Sequence, residues 1–385
     1  MRVVIAPDSF KGSIGASDAA AAIADGWLSE RPQDTVTRIP LADGGEGTLD
    51  AVAAAVPDAA WHSAGLVTGP DGRPTEGRWL ELPGRVAVVE LAQCSGLPLM
   101  AQLDPLGATT FGLGEVIRAA LDAGAQSLIV GLGGSASTDG GAGALQALGL
   151  RVTDAAGVPL GPGGAALASA HAIDRSALRP PPPSGVTLLS DVTAPLLGPA
   201  GAAAVFGPQK GASPDQVRML DAALARWAEL LGAELLGTEL LGTDPPGTEL
   251  GTDPAVPGSG AAGGTGYGFL AVWQAVIKPG AEHIARLSGL PDALEHADLL
   301  ITGEGSFDAT SFAGKVVGHA LSLAEKANVT TGVIAGRLAG TETAGRQGWA
   351  LSLTDTAGSA DAAMAEPTHW LSTTASVAAR ATLAG

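Results

Sequence analysis

The stretch RVVIAPDSFKGS, residues 2–13, decides the fold because an apolar strand there runs directly into a loop with an acid, a lysine and a glycine. The helix that follows is predicted to begin with Ser17 or Asp18 as its cap. An alternation of strands and helices is typical of a parallel sheet with crossover helices. Working outward from the stretch, the pattern predicts strands at Arg2–Ala6 and Thr35–Ile39, helices at Ser17–Leu28 and Thr48–Val56, and a turn at Asp43–Gly47.

The same pattern resumes near the other end of the chain. Strands are predicted at DLLITGEG, TTGVIAG and WALSLTD, with helices around Gly318–Ala327 and Trp370–Leu383. The two chain ends together therefore supply five parallel strands. We predict that residues 1–61 and 293–385 form one discontinuous domain, and that residues 62–292 form an inserted second domain.

The inserted region has a different pattern. Short strand-like runs over residues 61–92 predict a small meander, and Ser213–Leu231 predicts a helix with Ser213 as cap and Pro214 at the first helical position. Residues 237–254 are an imperfect tandem repeat of a few residue types, which favours a low-complexity surface loop.

The composition indicates a globular protein whose partners are neither nucleic acids nor membranes. Apolar residues make up 46% of the 385 residues and charged residues 16%, which allows a sizeable core. The net charge of −18 argues against a nucleic-acid reader and against attraction to anionic membranes. Cys94 is the single cysteine, so no internal disulfide is expected. Since signal-peptide features and long apolar runs are absent, a cytoplasmic location is expected.

Four glycine-rich segments are candidates for phosphate binding, because glycine lets backbone N–H groups approach a phosphate closely. With 56 glycines in the chain, spacing alone carries little information, but three of the four segments follow a predicted strand. Neither a Walker A pattern nor a convincing Rossmann fingerprint occurs. The segments are residues 42–48, 131–143, 258–268 and 302–306.

Acids at predicted strand ends and lysines beside glycines complete the candidate set. Phosphoryl transfer uses acids to hold Mg²⁺ and to position the attacking hydroxyl, and uses cations to bind anionic groups. The lysines beside glycines are Lys11, Lys210 and Lys315, and the acids are Asp8, Asp43, Glu46, Asp139, Asp191, Glu304 and Asp308.

Six motifs, in this order along the chain, resemble the glycerate kinase family of bacterial D-glycerate 2-kinases. They are VVIAPDSFKGS, PLADGGEGT, GLGGSASTDGGAGALQALG, DVTAPLLGPAGAAAVFGPQKGA, GSGAAGGTGYG and DLLITGEGSFD…GK. The resemblance implies an α/β fold with a discontinuous Rossmann-like or flavodoxin-like parallel-sheet domain and an inserted α/β domain. It also implies phosphorylation of D-glycerate to 2-phosphoglycerate by ATP with Mg²⁺. Glycerate and ATP are thus the expected partners, and a homodimer is one assembly to test.

Within this resemblance, Asp191, Lys11 and Asp43 are the expected catalytic residues, and Asp191 and Glu304 the expected metal ligands. Asp191 is the first choice for orienting the glycerate hydroxyl or ligating Mg²⁺, with Asp43, Glu46 and Glu304 as competing candidates. The residues expected to bind substrate are Asp8, Ser9, Lys11, Gly44, Glu46 and Lys315. Those expected to bind nucleotide are Gly133, Gly134, Ser135, Asp139, Lys210, Gly263 and Gly264.

The sequence departs from the family pattern near residue 306. Ser306 stands where the family usually has arginine, and Thr310 where it usually has glutamine. A kinase of a related small hydroxy acid, or a 3-phosphorylating enzyme, is therefore an open alternative. Outside this class, a nicotinamide-dependent oxidoreductase and a non-catalytic ligand sensor are the alternatives to test.

Overall fold

The structure is a computed structural model that describes residues 1–240, 253–312, 315–339 and 348–382. The strands are β1 (Arg2–Ile5), β2 (Thr35–Arg38), β3 (Ala60–Thr68), β4 (Pro74–Leu82), β5 (Val86–Glu90), β6 (Ser127–Gly131), β7 (Arg151–Thr153), β8 (Ala172–Asp174), β9 (Val186–Leu189), β10 (Val276–Lys278), β11 (Leu299–Phe307), β12 (Thr330–Leu338) and β13 (Gly348–Ser352). The helices are α1 (Ala16–Glu30), α2 (Thr48–Ala55), α3 (Ala92–Ser95), α4 (Phe111–Asp122), α5 (Ala142–Ala147), α6 (Ala202–Phe206), α7 (Pro214–Leu240), α8 (Ala261–Trp273), α9 (Gly280–Leu287), α10 (Leu290–Leu294), α11 (Val316–Lys326), α12 (Leu353–Ala357), α13 (Ala360–Ala365) and α14 (Pro367–Ala381).

The first of two compact units comprises Met1–Asp43, Gly47–Pro57 and Pro279–Gly385. Its sheet has the order β13-β12-β11-β1-β2, and every neighbouring pair is parallel. The predicted set of five parallel strands from both chain ends is confirmed. One apolar cluster of this unit is built around Trp27 and Ile23 of α1, which packs against α14.

The second unit comprises Gly44–Glu46 and Asp58–Lys278. Its sheet has the order β10-β9-β6-β5-β4-β3, in which β10, β9, β6 and β5 are parallel, and β4 and β3 add antiparallel strands at one edge. The predicted meander is therefore confirmed as β3, β4 and β5. A large core that includes Trp79, Trp227, Tyr267 and Phe269 packs against this sheet.

The two units do not begin and end at the predicted boundaries, 61/62 and 292/293. Helix α9 and the first residues of α10 lie in the predicted insertion, but their Ala285 and Leu290 pack with Val4 and Leu300 in an apolar cluster of the first unit. The apolar faces of these short helices match those β-strand residues, a long-range pairing that local pattern does not show. That independently folding domains meet at 61/62 and 292/293 stays a prediction.

Several local predictions are corrected. Helix α1 is capped by Gly15 without a side-chain hydrogen bond, not by Ser17 or Asp18, whereas Ser213 caps α7 as predicted, since Gln216 N donates to Ser213 Oγ at 3.3 Å. Helix α7 continues to Leu240 and so includes the first residues of the predicted 237–254 loop. Residues 241–252 of that loop lie outside the described residues.

In the described part of the chain, no helix has both the length and the apolar character needed to cross a membrane.

Candidate active site

The first candidate region lies where β1 and β11 end in the first unit, and we call Asp8, Lys11, Asp43, Glu304 and Lys315 the strand-end cluster. The chain beyond β1 keeps following β11, because Ala6 N donates to Ile301 O and Asp8 N donates to Gly303 O, each at 2.8 Å. This pairing places Asp8 beside the carboxyl end of β11, the edge at which parallel sheets bind ligands.

Lys11 lies at the tip of a tight loop that follows. Phe10 N donates to Ile14 O at 2.9 Å and Ser13 N to Phe10 O at 2.9 Å, which closes the loop on itself. Gly12 has a φ of +78°, a backbone conformation that glycine adopts without strain. As a result, the Lys11 side chain is exposed to solvent beside the acids.

Asp8 is a carboxyl group that resists ionisation. Burial raises its pKa from 3.8 to about 7, the negative charges of Asp43 and Glu304 add to this rise, and Lys11 opposes it. The N–H of Ser9 donates to Asp8 Oδ1 at 2.7 Å and also favours the ionised form. A carboxylate whose pKa is close to neutral pH is a suitable proton acceptor.

Glu304 provides a second unusual carboxylate in the cluster. Burial raises its pKa, and a hydrogen bond from Ser311 and the positive charges of Lys315 and Lys11 oppose the rise. Its Oε1 atom is buried and has no hydrogen-bond partner among the described residues. Since a buried carboxylate oxygen without a partner is costly, a ligand group is expected to meet it.

Lys315 is held in place by a short relay of side chains. Its Nζ donates to Thr310 Oγ1 at 3.0 Å, and Thr310 Oγ1 donates to Asp308 Oδ1 at 2.6 Å. Thr310, one of the departures noted in the sequence, thus tethers a lysine of the cluster. The bond also lowers the pKa of Asp308, which stays ionised.

The second candidate region is the glycine-rich loop of residues 131–143 that follows β6 in the second unit. Asp139 is 1% exposed and organises this loop. Its carboxylate accepts hydrogen bonds from Thr110 N and Thr110 Oγ1 and from the N–H groups of Gly141 and Gly143. Burial raises the Asp139 pKa, and these donors oppose the rise.

Lys210 is buried in the same unit and ties two points of the loop together. Its Nζ donates to Ser135 Oγ at 2.9 Å and to Ser137 O at 2.5 Å. Burial lowers its pKa from 10.5 to about 7, and the charge of Asp139 opposes that change. The buried side chains of Asp139, Lys210 and Ser135 shape the loop from inside, and their predicted nucleotide contacts stay a prediction.

The glycines of residues 258–268 do not form an open loop. Gly263 and Gly264 lie at the start of α8, with φ angles of +65° and +89°, and both are buried. A Cβ at Gly263 would lie 2.1 Å from Ser137 O, and Gly140 N donates to Gly263 O at 3.0 Å. These glycines therefore allow close packing against the 131–143 loop, and their nucleotide role stays a prediction.

Close packing also explains the glycines that precede α2. Gly44 O accepts from Gly133 N at 3.0 Å, and a Cβ at Gly133 would lie 2.4 Å from Gly45 Cα. Gly134 and Glu46 are exposed. A substrate contact by Gly44 or Glu46, and a nucleotide contact by Gly133 or Gly134, stay predictions.

The two predicted metal ligands belong to different units of the molecule. Asp191 is an exposed residue just after β9 in the second unit, and Glu304 belongs to the strand-end cluster of the first. Among the described residues, no group of three His, Cys, Asp or Glu side chains is arranged to hold a metal. The metal role of both acids stays a prediction.

Two residues near the cluster were missed by sequence reasoning. Ser311 is buried and bonds Glu304, and the only local signal was its position three residues after Asp308, whose N–H donates to Ser311 Oγ at 3.1 Å. Arg337 is the residue before the last one of β12 and pairs with Ser306 of β11, and no motif marks it.

A cavity of about 620 Å³ also opens in the second unit, between the start of α4 and the β7 hairpin. Its lining includes Thr68, Phe111, Gln146, Arg151 and Leu160. None of the predicted site residues lines it, so we assign it no role.

Comparison with known proteins gives consistent findings over the whole chain. The model of the glycerate kinase family matches residues 3–383. Glycerate 2-kinase of Escherichia coli (strain K12) is 40% identical over 342 residues, 88% of this chain and 86% of that protein. Glycerate kinase of Bacillus subtilis (strain 168) is 41% identical over 319 residues, 82% of this chain and 79% of that protein. The solved "Crystal structure of putative glycerate kinase 2 from Salmonella typhimurium LT2" has a TM-score of 0.81 and 37% identity, covering 100% of this chain and 99% of that one.

Proposed function

This chain belongs to the glycerate kinase family, and we propose that it transfers the γ-phosphoryl group of ATP, with Mg²⁺, to the 2-hydroxyl of D-glycerate. It is an enzyme of the class that phosphorylates alcohol groups. The observation that carries the proposal is the strand-end cluster, where half-buried acids of raised pKa lie beside exposed lysines.

In the proposed reaction, the hydroxyl oxygen of glycerate forms a bond to the γ-phosphorus while the bond from that phosphorus to the bridging oxygen of ADP breaks. The hydroxyl proton passes to a carboxylate. We assign this acceptor to Asp8 rather than to Asp191, because burial and the charges of Asp43 and Glu304 raise the Asp8 pKa to about 7. A base with a pKa near the working pH combines availability with proton affinity.

Lys11 and Lys315 supply positive charge at the same strand ends. Phosphoryl transfer has a loose transition state, so positioning and charge neutralisation are expected to contribute in addition to proton removal. Both lysines act electrostatically on Glu304, and Lys11 also acts on Asp8. We propose that Lys11 binds an anionic group of the reactants, and that the Thr310 tether keeps Lys315 near Glu304.

Mg²⁺ is proposed to arrive with the nucleotide. The absence of a three-residue metal cage among the described residues fits this ion, which is usually held by one or two carboxylates plus substrate phosphates. Glu304 fits such a role in the first unit because its Oε1 has no partner there. The ion, when bound, would neutralise negative charge on the phosphates. In the second unit, the 131–143 loop is the candidate for contacts to nucleotide phosphates through backbone N–H groups.

The test is an ADP-release assay with purified protein, Mg²⁺ and ATP, run with D-glycerate, L-glycerate, lactate and glycerol. We expect turnover with D-glycerate and a 2-phosphoglycerate product identified by NMR. No ADP release from folded protein with either glycerate enantiomer contradicts the kinase proposal, and binding without turnover would indicate a sensor. A 3-phosphoglycerate product overturns the position of transfer only. A titration with nicotinamide cofactors tests the oxidoreductase alternative, and sedimentation tests the homodimer.

A further inference from the structure

The end of strand β12 places a guanidinium group against the end of β11. Ser306 and Arg337 are direct partners in the parallel pairing of these strands, and Arg337 Nη2 donates to Ser306 Oγ at 3.4 Å. Both residues lie at the carboxyl edge of the sheet, where Asp8 and Glu304 also lie. The Arg337 side chain is exposed, and no carboxylate of the described residues lies within ion-pair distance of it.

The guanidinium lies on the same face of β11 as the Glu304 carboxylate. Side chains two residues apart on a strand share a face, so Glu304 and Ser306 point to one side, and Arg337 joins Ser306 there. Glu304 Oε1 is the buried oxygen without a partner among the described residues. This independent observation indicates that a donor group or a cation of a ligand is expected on this face of the strand end.

A second cation reaches the same strand end from the opposite neighbour. The sheet order is β12-β11-β1, and Lys11 belongs to the loop that follows β1. A Cβ at Gly305 would lie 3.6 Å from Lys11 N, and one at Gly336 would lie 2.4 Å from Gly305 O. The three backbones are therefore close, and Arg337 and Lys11 approach the end of β11 from its two sides.

We propose that Arg337 and the Ser306 hydroxyl form a binding subsite for the carboxylate of the hydroxy-acid substrate. This inference rests on the proposed function and names the group that selects an acid over a neutral alcohol. A guanidinium presents a planar fork of N–H donors that matches a carboxylate with two parallel hydrogen bonds, which lysine cannot do. Ser306 adds a hydroxyl that accepts from Arg337 and can donate to the same carboxylate. Arg337 is thus a specificity-determining residue.

The experiment compares Arg337→Ser, Arg337→Lys and the exchanged double variant Ser306→Arg/Arg337→Ser, using KM for D-glycerate, KM for ATP and kcat. We expect Arg337→Ser to raise KM for D-glycerate about 10- to 100-fold and to leave KM for ATP within about twofold, because one charge-assisted contact to the acid is lost. The exchanged variant returns the guanidinium to the partner strand and should recover most of the loss. Arg337→Lys should recover only part of it.

The matched control is Arg380→Ser, since Arg380 on α14 is an exposed arginine whose Nη2 also donates to a serine, Ser376 Oγ, at 3.0 Å. It should leave both KM values unchanged. A second comparison uses glyceramide, the neutral amide of glycerate, for which wild type and Arg337→Ser should have equal KM values. An unchanged KM for D-glycerate in Arg337→Ser overturns the inference. A rise confined to the KM for ATP overturns it in favour of a phosphate contact.

Equilibrium binding separates this inference from the proposed function. Calorimetry with D-glycerate alone should show binding by wild type and about 10- to 100-fold weaker binding by Arg337→Ser, whether or not ATP is turned over. Equal affinity in both proteins overturns the subsite even if the wild type is a glycerate kinase. The exchanged variant keeps the test valid if Arg337→Ser fails to fold, which thermal melting will show.

Discussion

Two aspartate–lysine pairs lie in glycine-containing loops of this molecule, Asp8 with Lys11 in the first unit and Asp139 with Lys210 in the second. In each pair the aspartate is buried enough for its pKa to rise, and in each the lysine is adjacent to a glycine. They differ in access to solvent, since Lys11 is exposed whereas Lys210 is 2% exposed. We call them the open pair and the closed pair.

The difference shows that the same two residue types can be open to a ligand in one place and enclosed by the protein in another. Asp139 accepts hydrogen bonds from four donors, and Lys210 donates to Ser135 and Ser137, so the closed pair is occupied within the protein. In the open pair, Lys11 is exposed and Asp8 titrates near neutral pH. The open pair is therefore expected to control turnover, and the closed pair to control folding of the glycine-rich loop.

The largest expected effect is on the open pair, in Asp8→Asn. If Asp8 accepts the hydroxyl proton, kcat should fall about 100- to 10,000-fold, since general base catalysis contributes about that much. The free energy of unfolding of Asp8→Asn, by contrast, should be higher than that of wild type above neutral pH. The folded protein holds the Asp8 proton up to a pKa of about 7 while the unfolded chain releases it near 3.8, so wild type loses stability as the pH rises between these values.

Asparagine removes that loss, so the free energy of unfolding of Asp8→Asn should exceed that of wild type at pH 8 by at most about 4 kcal/mol, and the gain should vanish near pH 4. Urea unfolding at both pH values measures this. Asp25→Asn, an exposed aspartate on α1, is the control and should change neither quantity. A kcat within about threefold of wild type would return the base to Asp191 or Asp43.

The second prediction tests the lysine of the open pair. Lys11→Ala should lower turnover or substrate affinity about 10-fold to over 100-fold, because a charge-assisted contact worth about 1.5–3 kcal/mol is lost. The free energy of unfolding should change by less than about 0.5 kcal/mol, since an exposed lysine contributes little to folding. Lys326→Ala, an exposed lysine at the end of α11, is the matched control. Equal small effects in both variants would show that the open pair does not serve the reaction.

The sequence indicated the loops that hold both pairs but not which pair is exposed, for a physical reason. Strands β1 and β2 were placed to within one residue because apolar runs between turn signals are local information. Burial is not local. Lys11 and Lys210 both neighbour glycines, and only the packing of distant segments makes one exposed and the other buried. A lysine beside a glycine therefore indicates a tight loop, but it does not show whether the ammonium group is exposed or buried.

Long-range pairing explains the remaining differences at the site. The pKa of Asp8 depends on the β1–β11 contact, which joins segments 296 residues apart, as the bond from Thr302 Oγ1 to Ala6 O shows. The sequence alone shows serine at position 306 where the family usually has arginine. It does not show that the pairing of β11 with β12 puts Arg337 beside that serine. Gly263 was predicted to bind nucleotide, and the sequence could not show that it packs closely against the backbone of Ser137, because a glycine in either role has the same letter.

The third prediction tests the closed pair through Lys210→Met. Methionine fills the space but cannot donate to Ser135 Oγ or Ser137 O, so the free energy of unfolding should fall by about 1–3 kcal/mol at pH 8. The sign of the pH dependence follows from the lowered pKa. Between about 7 and 10.5 the unfolded lysine binds a proton that the folded one lacks, so this group makes wild type more stable as the pH rises through that window.

The loss in Lys210→Met should therefore widen from pH 7 to pH 10, which chemical unfolding at several pH values measures. Lys278→Met, at an exposed lysine of β10 in the same unit, should show neither the loss nor the widening. If Lys210→Met is as stable as wild type but no longer binds ATP, Lys210 contacts the nucleotide, and the closed pair serves binding rather than folding alone.

The smallest expected effect concerns two buried threonines beside the closed pair, which we call the closed region together with that pair. They are Thr138 and Thr110, each 0% exposed, and valine substitutions are expected to change the free energy of unfolding in opposite directions. Thr138 Oγ1 has no hydrogen-bond partner among the described residues, so Thr138→Val should raise the free energy of unfolding by about 0.5–1 kcal/mol and leave turnover unchanged. Thr110 Oγ1 donates to Asp139 and accepts from Ala144 N, so Thr110→Val should lower it by about 1–3 kcal/mol. Urea unfolding and the ADP-release assay measure both variants. If Thr138→Val instead reduced turnover more than about tenfold without loss of stability, its hydroxyl would meet a reactant, and the closed region would belong to the chemistry as well as to the fold.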